Sequence, residues 1–573
     1  MSTKLLPFVL AALVDGSSFW STTGQAAEKP DSERHPNVLF ISIDDLNDWL
    51  GCLEGHPEAL TPNIDRLAKR GVLFTNAHCN VPVCSPSRTS LMTGMQPYRT
   101  GVHTNGDTLF QLKGKYTTLP EQFAANGYET LGAGKLFHSA GLYAKFFESY
   151  GPASGNQGGP FTRAELDTLK QDPVHQVDRG PGNLKATLPL NGMPDDRRTG
   201  KSRNNTFDWG PVDVSDDEMP DGQVAAWGVK QLERRHERPF FLGVGFYRPH
   251  QPLFAPRRYH EMFPPAEMTL PPFRTDDLDD LSPYARRLAV LPLTAGRHDT
   301  VVKYGQWPAA VSSYLASVRF VDELVGRVVD ALDASPDASD TAIVLWSDHG
   351  YHLGQKRHWG KYTPWRESTR VPLIIVPPKE DGGTGFARGA TCDRPVSLVD
   401  LYPTLLALCD LPEPHDLDGR SLLPLLEDPQ RAWNHPVVTT VGRGTYSVRD
   451  QTHRYVRYFD GSEELYDLRV DPNEWTNVAS DPIQQSVKSR LQAALPTDED
   501  VTHFVRMGRW KAVIFKDPGR APLLFELVAG TGGGGGIGET KSVASSHPEV
   551  LARIRRGLAD LPQPAKHVVL AAR

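Results

Sequence analysis

The sequence predicts an α/β fold: a mixed, mostly parallel sheet flanked by helices, then a smaller C-terminal antiparallel sheet that carries a helix. Three observations predict it. Short apolar runs at Pro36–Ile43, Pro239–Phe246 and Thr341–Ser347 each end in polar or charged residues, as buried parallel strands do when their C-terminal ends carry a site. Helical stretches lie between them, the longest being Ser312–Leu332, where apolar residues recur three and four apart. Further along, Asp460-Gly461 inside Tyr455–Leu468 reads as a hairpin.

The chain has 573 residues, enough for one large domain and a smaller one. Its 62 basic and 69 acidic residues leave a net charge of −7, so no global basic field recruits nucleic acid. Residues 1–27 read as a secretory signal: Lys4, the apolar run Leu5–Val14, then small residues up to Ala26-Ala27. The expected location is therefore secreted, periplasmic or otherwise extracytoplasmic. No later run is long enough to span a bilayer, so the mature chain is expected to have no membrane span.

The first strand ends in Asp44-Asp45. Neighbouring strand residues face opposite ways, so these carboxylates converge only if the strand stops there. Once together they need a cation or a shared proton. Thr61–Gly71 reads as a helix and Val72–Ala77 as a strand leading to Cys84-Ser85-Pro86-Ser87-Arg88. Pro86 suits a first helical turn and Ser85 an N-cap. Cys84 would then sit just outside the helix N-terminus, a place for an anion, with Arg88 a turn along, able to fork onto that anion or onto a group at Cys84. The helix Thr118–Tyr128 and the strand Glu129–Ala133 lead to Gly134-Lys135-Leu136-Phe137-His138. Residues 145–208 are polar and glycine-rich and read as a surface insertion.

After the helix Gln223–Arg234, the second apolar strand delivers His250, and the third delivers Asp348-His349-Gly350. Asp44, Asp45, Asp348 and His349 form a mostly oxygen donor set suited to a hard divalent cation, Ca²⁺ ahead of Mg²⁺. Lys361 follows in a loop. Four cysteines accompany Cys84; Cys52 with Cys79 and Cys392 with Cys409 is one pairing that the count allows. Singly, each of these residues has an ordinary reading: a buried thiol, a capping Asp pair, surface lysines, a core histidine.

In this order the motifs resemble the type I sulfatase family. The Cys84-x-Pro86-x-Arg88 pentapeptide resembles the family's signature, and Gly134-Lys135-x-x-His138, the strand ending in His250, and His349 are most similar to its iduronate sulfatase branch. The resemblance runs over roughly residues 36–485 and implies an alkaline-phosphatase-like sheet. It also implies that a formylglycine-generating maturation enzyme oxidises Cys84 to formylglycine, whose hydrate attacks a sulfate ester. Lys135 and Lys361 would hold sulfate oxygens, His138 would touch the formylglycine hydroxyl, Arg88 would stabilise the group at 84, and His250 would protonate the leaving alcohol. Asp44, Asp45, Cys84, Asp348 and His349 would ligate the metal. The substrate would be a sulfated carbohydrate, and the location lysosomal in a eukaryote.

The implied layout is a catalytic domain over 28–430, a C-terminal subdomain over 431–497, and a degenerate repeat of that subdomain over 498–573. Two other functions fit the same residues: a phosphoester or phosphonate hydrolase of the superfamily, and a non-catalytic binder of sulfated glycan if Cys84 stays a thiol.

Overall fold

The computed structural model describes residues 35–153, 176–179, 185–194, 207–379, 385–497, 501–516, 521–526, 542–559 and 566–570. The signal segment 1–27, much of the 145–208 insertion and the glycine run 532–536 lie outside them.

The larger sheet has eight strands. Chain order gives β1 (Asn37–Ile43), β2 (Val72–Phe74), β3 (Glu129–Gly134), β4 (Ser149–Tyr150), β5 (Phe240–Phe246), β6 (Thr341–Ser347), β7 (Leu373–Val376) and β8 (Ala390–Cys392). Their spatial order is β8-β2-β7-β6-β1-β5-β3-β4. Only β7 runs against the rest, pairing antiparallel with β6 and β2. The expected mixed, mostly parallel sheet is what the chain forms, with β1 central between β6 and β5.

Alternation along β1 divides the core in two, as a two-sided buried strand requires. Leu39, Ile41 and Ile43 join one apolar cluster; Val38 and Phe40 join the other. The second cluster holds Leu91 and Met92 of α1 (Cys84–Thr93) and Phe123 of α2 (Leu119–Ala125). The first holds Tyr314, Val318, Val321 and Val325 of α3 (Trp307–Asp333). That helix starts five residues before the periodic stretch because Pro308 opens it in the first turn. The helix expected at Gln223–Arg234 likewise starts earlier, at Pro220, and ends at Leu232.

Two smaller sheets follow. The first is an antiparallel meander of β9 (Val437–Thr440), β10 (Tyr446–Arg449), β11 (His453–Arg457) and β12 (Glu463–Asp467). It is backed by a helix at Gln485–Gln492, whose Leu491 packs on Val448, Tyr455 and Leu465. The second sheet has three antiparallel strands, β13 (Val501–Met507), β14 (Trp510–Phe515) and β15 (Leu523–Glu526). A helix at Pro548–Ala559 follows, and β16 (His567–Leu570) returns parallel to β13.

All five cysteines are free, so neither pairing that the count allowed is formed. Cys79, Cys392 and Cys409 serve as small apolar residues of the second cluster. Among the described residues no helix is long and apolar enough to cross a membrane.

Candidate active site

Four neighbouring strands deliver the polar residues, all at their C-terminal ends. β1 stops at Ile43, and Asp45 turns into the left-handed region at φ 58°, so both carboxylates converge instead of alternating. β6 stops at Ser347 and hands on Asp348 and His349. Two hydrogen bonds tie the two loops, the Asp45 N–H donating to Asp348 Oδ1 at 3.3 Å and the Leu46 N–H to Ser347 Oγ at 3.1 Å, while Ser347 Oγ donates to the His349 carbonyl of its own loop at 2.9 Å.

Cys84 is the first residue of α1, not a residue outside it, and Val83 is the N-cap. Ser85 caps nothing; its N–H donates to Asn105 Oδ1 at 2.9 Å and its Oγ to the Asp107 carbonyl at 3.0 Å. The shift brings Cys84 Sγ within 3.0 Å of Lys361 Nζ, 4.0 Å of Lys135 Nζ and 3.3 Å of His349 Nε2. Burial alone would raise the thiol pKa. Lys135, Lys361, His349 and a bond from His138 outweigh it and hold the thiol well below its ordinary range.

Arg88 does not fork onto residue 84 as expected. It is buried, with Nε 2.9 Å from Asp348 Oδ2 and Nη2 3.3 Å from Asp44 Oδ1. Its Nη1 donates to the carbonyls of Lys135 and Leu136. The reason is electrostatic: two buried carboxylates outcompete one thiol for a guanidinium fork. Arg88 thus joins the tips of β1, β3 and β6.

Lys135 pairs with Asp44, and Lys361 with Asp45 Oδ1 at 2.6 Å. Burial would lower Lys361, but Asp45 and the thiolate raise its pKa well above the usual range. His250 Nε2 lies 3.9 Å from Asp45 Oδ2, and its Nδ1 is 2.6 Å from the Gln251 carbonyl. Its side chain is 14 % exposed, against 3 % and 5 % for Lys135 and Lys361, so solvent reaches the site on its side. Burial keeps His250 below the ordinary histidine range.

Sequence reasoning assigned no role to Tyr247, yet its ring lies 4.4 Å from Lys135 Nζ and 4.6 Å from the His250 ring. Its hydroxyl is buried without a hydrogen-bond partner. The available signal was an aromatic residue immediately after a strand end.

The donor set fits a hard cation. One ligand atom each from Asp44, Cys84, Asp348 and His349 lies within 4.8 Å of the others, and Asp44, Asp45, Cys84 and His250 form a second such group. Asp45 Oδ2 is buried and lacks a hydrogen bond, as expected of a carboxylate oxygen shaped for a metal. Burial raises the Asp348 pKa; burial alone would lower that of His349, but the neighbouring Asp348 carboxylate outweighs it and raises it.

A family model described as Sulfatase matches residues 36–411, and one described as N-sulphoglucosamine sulphohydrolase, C-terminal, matches residues 354–500. A "Sulfatase" of Formosa agariphila is 37 % identical over 80 % of this chain and 86 % of its own length. Iduronate 2-sulfatase of Mus musculus is 30 % identical over 82 % of this chain and 93 % of its own. Among solved structures, a phosphonate monoester hydrolase of Agrobacterium radiobacter superposes with a TM-score of 0.60 at 24 % identity, over 80 % of this chain and 94 % of that one; at that identity the likeness speaks for the fold.

Proposed function

Because this chain belongs to the sulfatase family and is a sulfuric ester hydrolase, we propose that it removes sulfate from a sulfated sugar or polysaccharide, using residue 84 after conversion of Cys84 to formylglycine. The observation that carries this reading is the pair of ammonium groups, Lys361 and Lys135, at 3.0 and 4.0 Å from Cys84 Sγ, on the rim of a buried carboxylate cluster. Such a cradle holds a tetrahedral anion against the atom that attacks it.

When residue 84 carries an aldehyde, its hydrate offers one hydroxyl that gives its proton to the neighbouring carboxylate cluster as it attacks sulfur, and a second that expels sulfate afterwards and restores the aldehyde. Asp44, Asp45, Asp348, His349 and residue 84 would hold a Ca²⁺ ion, which supplies Lewis-acid stabilisation of the attacking and sulfate oxygens. Lys135 and Lys361 bind sulfate oxygens. Arg88 acts through Asp44 and Asp348, fixing both carboxylates in place. His250, at the solvent side, gives a proton from Nε2 to the sugar oxygen as the S–O bond breaks, which requires its doubly protonated form and, with burial lowering its pKa, favours turnover on the acidic side. His138 takes the proton from the second hydroxyl.

Further parts of the reading follow from family and sequence. A dedicated maturation enzyme modifies Cys84, the chain acts outside the cytoplasm, and the sugar is a uronate or similar unit, as the name of the mouse relative suggests. The site comprises the domain over 28–430, with the two later sheets as subdomains over 431–497 and 498–573, the second a drifted copy of the first.

Two measurements test the core of this. Mass spectrometry of the peptide carrying residue 84 should find aldehyde or its hydrate; unmodified thiol in fully active protein rejects the nucleophile. Turnover of a sulfate monoester should exceed that of the matching phosphonate; the reverse ranking would make the chain a phosphonate hydrolase on a shared fold.

A further inference from the structure

A second polar cleft, of about 280 Å³, is lined by none of the residues 44, 45, 84, 135, 250, 348, 349 or 361. Its walls come from both parts of the chain: Arg366 and Arg370 from the segment before β7, Arg449 and Arg454 from β10 and β11. Four arginines therefore line one cavity, whose lining carboxylates are Asp393 and Glu474.

Cations outnumber carboxylates around the cleft, and one arginine has no ion pair among the described residues. Arg366 and Arg370 share Asp48 Oδ2, at 2.6 and 2.7 Å. Arg454 Nε is 2.5 Å from Glu474 Oε1. Asp393 is taken by Arg394 at 3.1 Å and by Gln451 Nε2 at 2.8 Å. Arg449 forms no ion pair among the described residues; its Nη1 donates only to the carbonyls of Asp450 and His453. Burial first, then the neighbouring Arg454, pull its pKa down to about 9. Gathering like charges in a half-desolvated cleft is costly unless an anion enters, and planar guanidinium forks match tetrahedral oxyanions.

We propose that this cleft binds a tetrahedral oxyanion, with Arg449 as its principal donor and Arg370 and Gln451 beside it. Two sources share that chemistry: free inorganic sulfate and a sulfate group borne by a glycan. A bound anion would join the larger sheet's loops to the first C-terminal sheet, because the donors come from both. The inference is independent of the reaction assigned to Cys84.

Equilibrium dialysis of the full-length protein against labelled sulfate, with ionic strength held by chloride, tests it. Two classes of site are expected, one lost in Lys361→Ala and the other in Arg449→Gln, with sulfate-ester turnover of Arg449→Gln unchanged. Should Arg449→Gln fail to fold, Arg449→Lys keeps the charge but not the fork and should bind about tenfold more weakly at this site. A sulfated tetrasaccharide forms the second arm. Its binding, lost in the Arg449 variants while free sulfate occupies only the Lys361-dependent site, assigns the cleft to glycan sulfate. Binding of both ligands that is unchanged in the Arg449 variants overturns the proposal.

Discussion

Arg88 bears on the charge of the whole site although it lies a turn away from residue 84. Its side chain is 1 % exposed and braces Asp44 and Asp348, both fully buried. Truncating it takes the guanidinium from buried Asp348 and leaves Asp44 with Lys135 alone, which costs about 3–5 kcal/mol where one partner of a buried pair is removed. Arg88→Ala should therefore lose turnover and lower the denaturation midpoint together, whereas Arg88→Lys should recover part of the stability but little of the rate. Near-normal kcat in purified Arg88→Ala would remove the role given to this residue. The sequence marked Arg88 as functional but misassigned its partner, since chain spacing puts it near Cys84 and only the neighbouring strand tips reveal two stronger acceptors.

At the scale of elements, the close approach of β3 and β5 sets where Lys135 emerges. Gly134 has φ 72°, and a Cβ there would lie 1.9 Å from the Gly245 carbonyl oxygen. Gly134→Ala should displace Lys135 and cut kcat by about a hundredfold, the scale of a misplacement near 1 Å; a kcat within twofold of the parent would show that the strand ends adapt.

A second element-scale joint is Asp322 on α3, which accepts hydrogen bonds from the Asn63 and Ile64 N–H groups at 3.1 and 2.8 Å. Burial raises its pKa from 3.8 to about 6. The folded state therefore holds this proton more tightly than the unfolded chain. The stability it gives is fully present below the unfolded pKa and is lost as pH rises through about 6. Asp322→Asn does not titrate, so it should gain on the parent by about 3 kcal/mol between about pH 4 and pH 7. Melting both proteins across that range checks it; a constant difference would contradict the shift. The existence of these helices and strands was legible from periodicity and glycine stops. Their ends were not, because Pro220 and Pro308 open helices where no apolar period has begun.

For the whole molecule, the C-terminal sheets serve as a buttress. Val81 and Val83, leading into Cys84, and Tyr362 and Trp365, following Lys361, share one apolar cluster with Val456, Tyr458, Phe459, Tyr466, Phe504 and Val513. The Trp365 indole also donates to Glu464 at 3.0 Å. The segments that carry Cys84 and Lys361 are thus both packed against later parts of the chain. Phe504→Ala should cost about 3–5 kcal/mol and lower kcat although it touches no substrate. An unchanged rate in a destabilised variant would mean the loops hold themselves.

The sequence by itself determined the chemistry available to this protein. Apolar runs ending in Asp44-Asp45, His250 and Asp348-His349 dictate a layered sheet with polar tips, and the order of motifs around Cys84 dictates the family, because strand burial and residue type are local properties. Tertiary structure alone decided who meets whom: Arg88 with two carboxylates, Tyr247 under Lys135, cysteines left unpaired, and arginines from distant segments around one cleft. Those outcomes depend on strand order and on competition among buried charges, which linear spacing does not encode.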